Sequence, residues 1–92
     1  MKAILPIKVK DGDKTKEEMR LFDTEISQKV CTVVNVFGYE VQEIYLSPSG
    51  IVFLKDARPE KLSVGDQDVI KKYIGEKHPE EYIKFFGEVK EA

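Results

Sequence analysis

Met19, Phe22, Ile26, Val30, Val33 and Phe37 recur at steps of three or four within the stretch Lys16 to Gly38. Apolar side chains at that period share one side of an α-helix, so the stretch predicts a long amphipathic helix with a buried stripe. Thr15 followed by Glu18 has the spacing of a capping box. Glu17 and Glu18 add negative charge where the helix dipole favours it. Gly38 stands where a left-handed residue commonly ends a helix. A competing signal lies in the same stretch. Val30-Cys31-Thr32-Val33-Val34-Asn35-Val36 is rich in β-branched residues, which suit extended backbone. A strand over residues 30–37 after a shorter helix is the alternative. Continuity of the stripe through Phe37 favours the helix.

The remaining segments read as partners for that stripe. In residues 3–9, Ala3, Leu5, Ile7 and Val9 alternate with Ile4, Pro6 and Lys8, the pattern of a strand with one apolar face. Pro6 lacks an N–H and Lys8 and Lys10 carry charge, which places this strand at a sheet edge. Lys10-Asp11-Gly12-Asp13-Lys14 is a turn. Residues 39–46 and 51–55 read as a hairpin around Ser47-Pro48-Ser49-Gly50, which has the Pro and Gly positions of a type I turn. The alternation slips near Glu43 and Ile44, as either a bulge or a sheet partly covered on both faces would make it. Asp56 to Lys61 is a polar connection. Ser63 can cap a helix carrying Val69, Ile70, Tyr73 and Ile74, with Gly75 as its stop. A second short helix starts near His78, with Pro79 at its first position, and ends at Gly87.

The expected architecture is therefore a single α+β domain over residues 1–92, in the order β-α-β-β-α-α. A three-stranded sheet carries the long helix across one face, and two short helices follow at the C-terminal end. Sheet orders 1-3-2 and 1-2-3 both satisfy the pattern. At 92 residues, 41% hydrophobic and 35% charged, the chain has the composition of a folded domain. Its radius of gyration should be about 12 Å.

Composition also limits function. The formal net charge of -2 gives no overall attraction to nucleic acid or anionic lipid, although it permits a local basic patch. Cys31 is the only cysteine, so no intrachain disulfide or Cys-built zinc site is possible within these residues. A single thiol fits a reducing compartment. The opening residues are charged too early for a secretory leader, and no apolar run reaches spanning length. The expectation is a cytoplasmic protein.

Few residues suggest chemistry. His78 is the only histidine and reads as a residue at the start of a helix. Cys31 lies among valines with no histidine near it in sequence, which suits an inert core thiol. Asp11, Asp13 and Thr15 imitate the start of a calcium loop, but Lys16 and Phe22 occupy the positions that need Gly and Glu. The six glycines form no phosphate-binding spacing. No catalytic residue, metal, cofactor or small-molecule ligand is expected, and the reading leans away from an enzyme.

Two binding surfaces can be named. Tyr82, Phe85 and Phe86 give the last helix a wide aromatic face, suited to core packing or to a protein interface, most simply with a second copy of the chain. Lys8, Lys10, Lys14, Lys55 and Arg58 would form a basic edge if the first strand and the end of the last strand lie together. Interleaved Asp11, Asp13, Asp56 and Glu60 argue against it. The leading expectation is a non-catalytic, self-associating protein-interaction or accessory module. A small nucleic-acid-binding protein is the alternative.

Overall fold

The computed structural model describes residues 1–92. Six strands precede two helices: β1 Lys2–Asp11, β2 Lys14–Asp23, β3 Gln28–Val34, β4 Glu40–Leu46, β5 Val52–Ala57, β6 Glu60–Ser63, α1 Gln67–Lys77 and α2 Pro79–Phe86. β1 and β2 form a two-stranded antiparallel ribbon, and β3-β4-β5-β6 form an antiparallel meander in that order.

Alternation along the central strands sorts the side chains into two cores. On β5, Val52 and Leu54 point toward the helices and Phe53 toward the ribbon, with Ile51, just before the strand, also on the ribbon side. On β4, Ile44 and Leu46 take the helix side and Tyr45 the ribbon side. Val30, Cys31, Ile44, Val52, Ile70 and Ile74 make up the core under the helices. Phe22, Phe53 and Leu62 make up the core under the ribbon, flanked by Ala3, Leu5 and Ile7. The molecule thus has three thin layers: ribbon, sheet, helices. Its radius of gyration is 14.1 Å and its extents are 38 × 38 × 23 Å. That exceeds the roughly 12 Å of a compact chain of this length, because the layers spread sideways rather than closing round one core.

The fold remains α+β, but the long helix and the three-stranded sheet are overturned. Residues 14–23 are a strand, a turn occupies 24–27, and residues 28–34 are a second strand. The apolar stripe divides accordingly. Phe22 and Val30 are buried, on opposite sides of the sheet, while Met19, Ile26 and Phe37 are exposed. Two local forces decide this. The β-branched run from Val30 to Val34 takes the extended form it prefers. Asp23 then fixes the turn before it: its Oδ1 accepts from the Glu25 N–H at 3.0 Å, and its carbonyl accepts from the Ser27 hydroxyl at 2.6 Å. Thr15 is a strand residue rather than a cap, and Gly38 closes a β-turn at φ 83°. Sheet orders 1-3-2 and 1-2-3 both fall, since β1 pairs with β2 alone.

Other segments follow the sequence closely. The Ser47–Gly50 turn is closed by Gly50 N–H donating to the Ser47 carbonyl at 2.9 Å. Glu43 and Ile44 carry no bulge: they pair without a break with both neighbouring strands, the sheet is covered on both faces, and the register shifts lie between Lys29 and Cys31 and between Val33 and Val34. The polar connection after β5 contributes a further strand, β6. The cap of α1 is Asp66 rather than Ser63, accepting from Asp68 and Val69 N–H groups at 3.0 and 3.1 Å. α1 runs past Gly75, which lies under the Tyr82 ring where α2 packs back. Pro79 opens α2 and Gly87 ends it.

Candidate interaction surface

The ribbon is positioned by its turn. β1 and β2 are joined by the two residues Gly12 and Asp13, with Gly12 at φ 65°. A positive φ at the first central position belongs to the type II′ hairpin, which Gly adopts without strain. The turn sets the register, and the register sets the faces. Ala3 opposite Phe22, Leu5 opposite Arg20 and Ile7 opposite Glu18 face the sheet. Ile4 opposite Leu21 and Pro6 opposite Met19 face away from it.

Ile4, Met19 and Leu21 are uncovered on that face, while Pro6, Lys8 and Glu17 line a cleft with Ile51 and Val64 to Asp68. Ile4 is 65% exposed, Met19 60% and Leu21 58%. Directly opposed residues on neighbouring strands have Cβ atoms about 5 Å apart, so these side chains and Pro6 form one continuous apolar patch. Single exposed apolar residues are ordinary on a protein surface, and a contiguous group is not. Polar pairs frame it: Lys2 opposite Asp23 at the base, Lys8 opposite Glu17 and Lys10 opposite Thr15 toward the turn. Asp23 is buried, with Lys2 Nζ 4.0 Å from its carboxylate.

A second uncovered apolar surface is the β3–β4 turn. Asn35 Oδ1 accepts from the N–H groups of Phe37 and Tyr39 at 2.9 and 3.1 Å, and Asn35 N–H donates to the Tyr39 carbonyl at 2.9 Å. This fixed loop holds Val36 94% and Phe37 80% exposed.

The residues singled out from sequence are distributed differently. Tyr82, Phe85 and Phe86 lie half-buried against the helix-side core, with Tyr82 and Phe86 rings 5.2 Å apart. Lys71 sits over Phe86 and Lys84 over Phe85, at 5.4 and 5.2 Å. Ile83, on the same helix, is the exposed apolar residue. Lys8 lines a cleft with Ile51 and Asp66 at the start of β5, whereas Arg58 follows the end of that strand. Lys10 and Lys14 flank the ribbon turn. Lys55 Nζ lies 3.6 Å from Glu43, which also receives Lys29 at 2.8 Å. The outward ribbon patch is hidden from the sequence reading because Met19 falls in helical phase with Phe22 and Leu21 falls outside that stripe. The Asp11-Gly12 dipeptide followed by a strand of equal length was the available signal.

Elsewhere the polar groups have structural partners. The cleft of about 560 Å³ between β1 and the start of α1 contains Asp66 and Gln67. Asp66 caps α1, and Gln67 bonds both backbone groups of Val52. Burial pushes the Cys31 thiol pKa up, with Glu81 adding to the effect, so the thiolate is disfavoured. His78 joins α1 to α2, its N–H donating to Ile74 and its carbonyl accepting from Tyr82. Asp11 and Asp13 lie at the ribbon turn, with Lys16 Nζ 3.9 Å from Asp11. No group of three or more His, Cys, Asp or Glu side chains is placed to hold a metal ion. No helix is long and apolar enough to cross a membrane.

Comparison with known proteins gives no match to a family model, to a curated protein or to a solved structure.

Proposed function

We propose that the protein is a non-catalytic interaction module that self-associates, acting inside the cell as an accessory or regulatory component. The observation that carries this reading is the uncovered outward face of the ribbon, where Ile4, Pro6, Met19 and Leu21 meet across two strands. Burying that face removes apolar surface from water, and a second copy brings a surface of the same shape. The ribbon strands are ten residues long, so the face measures about 33 by 10 Å. That is small against the roughly 800 Å² per partner of a standard interface, in the size class of weak and transient contacts. The buried single thiol fits a reducing compartment.

The nucleic-acid alternative has less support. Lys8 faces Glu17, Lys16 lies near Asp11, and Lys55 is held by Glu43. The test is sedimentation of the wild type and Leu21→Asp over a range up to about 1 mM, high enough to populate a weak dimer. The wild type is expected to move from the 10.6 kDa monomer toward a dimer as concentration rises, and Leu21→Asp to stay monomeric. A wild type that remains monomeric throughout refutes self-association.

A further inference from the structure

The two-residue link at Gly12 and Asp13 makes Asp11 and Lys14 the closing hydrogen-bonded pair of the ribbon. Counting back in twos, Lys16, Glu18, Arg20 and Phe22 of β2 exchange backbone bonds with β1. Thr15, Glu17, Met19 and Leu21 turn theirs away from it. Pro6 opposite Met19 fits this alternation, since that position needs no N–H inside the ribbon. The outward N–H and C=O groups of these four residues bond nothing in the chain, and all four residues are exposed. β1 is the ribbon strand in contact with β6, and β2 forms the opposite edge.

The other sheet edges carry features that hinder strand addition. Pro6 interrupts β1, two register shifts interrupt β3, and β6 has only four residues. β2 runs for ten residues in unbroken register without Pro or Gly. An extended strand is the partner that such an edge accepts, and the charges of β2 suit a second β2. Only odd-numbered residues offer outward groups, so an antiparallel pair must set odd against odd. Centred on Glu17, the pair opposes Glu17 to itself and Lys14 to Arg20. Centred on Glu18, it opposes Glu18 to itself and Lys16 to Arg20. Centred on Arg20, it opposes Arg20 to itself, and centred on Leu21 it overlaps only over residues 19–23. Centred on Met19, it sets Glu18 against Arg20 twice and opposes no like charges within the strand. Glu18 and Arg20 are half-exposed and bond only each other, at 2.9 Å. A second copy therefore closes a square of alternating charges beside the edge.

We infer that β2 pairs edge to edge with β2 of a second copy of this chain, antiparallel and centred on Met19. Met19 exchanges backbone bonds with Met19 of the other copy, and Glu17 with Leu21, about six hydrogen bonds in all. The two ribbons become one four-stranded sheet with β1 at each margin, where Pro6 ends further addition. The inference goes beyond the self-association proposed above: it uses the strand edge and leaves the outward apolar face open.

Amide exchange followed by NMR from about 50 µM to about 1 mM tests it on the wild type. The Glu17, Met19 and Leu21 amides are expected to slow in step with the dimer fraction, while those of Ile4 and Lys8 on β1 stay fast. A dimer in which the three β2 amides stay fast overturns the inference and leaves the outward face as the contact. No dimer at any concentration overturns both. Glu17→Pro removes an outward N–H without touching the apolar patch, and Glu17→Ala keeps it. By sedimentation, Glu17→Pro is expected to dimerise about tenfold more weakly than Glu17→Ala, and equal dimerisation counts against the edge. E18R and R20E each set like charges across the pair, and an equimolar mixture sets opposite ones. The mixture is expected to dimerise about tenfold more tightly than either variant alone, and no gain on mixing overturns the pairing centred on Met19.

Discussion

Phe22 packs against Phe53 with ring centroids 5.1 Å apart and planes tilted by 54°. Both rings are almost fully buried, and Tyr45 stacks on Phe53 at 5.5 Å. Phe22 is the one residue of the ribbon in the buried cluster that joins it to the sheet. Two-stranded ribbons are marginal alone in water, so this contact largely decides whether β1 and β2 hold their place.

Phe22→Ala is therefore expected to destabilise the protein by about 3–5 kcal/mol, the range for a buried phenylalanine truncation. Amide exchange in β1 and β2 should accelerate before that in β3–β5, since the ribbon loses its anchor first. Phe37→Ala is the contrast. Its ring is in solvent, and the change should stay within about 0.5 kcal/mol. Urea denaturation of both variants measures the difference.

Gln67 substitutes for a strand. β6 pairs with β5 from Leu54 to Ala57 and stops short of Val52. There the Gln67 Oε1 accepts from the Val52 N–H at 2.9 Å, and its Nε2 donates to the Val52 carbonyl at 2.8 Å. Gln67→Ala leaves two backbone groups at a buried residue unpaired and should cost about 2–4 kcal/mol. Gln67→Glu keeps the acceptor and loses the donor, except when its carboxyl is protonated. Its deficit in thermal stability relative to wild type should therefore narrow as the solution is made acidic.

The Lys29–Glu43–Lys55 cluster predicts acid sensitivity. The hydrogen bond from Lys29 holds the Glu43 carboxyl below its ordinary value of 4.5, with the charges of Lys29 and Lys55 adding to it against a partial burial cost. A carboxyl lowered in the folded state stabilises above pH 4.5, and that contribution is lost as pH falls through the lower folded value. The Glu43 hydrogen bond likewise raises Lys29, whose contribution persists below pH 10.5 and is lost above it, through the raised folded value. Glu43→Gln should flatten the acid side of the stability profile and cost about 1 kcal/mol or less near neutral pH, as the group is partly open to solvent. Stability measured from pH 2 to 7 checks the slope.

Cys31 should react slowly with iodoacetamide in the folded protein. Its side chain is buried and its pKa is raised by desolvation, so both access and thiolate fraction are reduced. Labelling followed by mass should be at least about 100-fold faster in denaturant, since modification awaits opening. Labelling at equal rates in both states would contradict the placement of Cys31 under the helices.

Local chemistry in the sequence determined several features directly. The alternation of Ala3, Leu5, Ile7 and Val9 made a strand, Ser47 to Gly50 made a turn, and Pro79 and Gly87 bounded a helix. Each is a matter of neighbouring residues and backbone preference. The identity of residues 14–34 was not of that kind. Phe22 and Val30 satisfy a helical period and a pair of strands equally well, and only their destinations separate the two. Phe22 finds Phe53 on one side of the sheet, and Val30 finds Ile44 and Ile74 on the other. Those contacts are distant in sequence, so no local window contains the energy that selects the strands. The same holds for the surface. Met19 and Phe37 looked like core because helical phase aligned them with Phe22, and tertiary packing left both in solvent. The sequence alone determined that these residues were apolar; the register of β1 with β2 decided that Met19, Leu21 and Ile4 share an uncovered face.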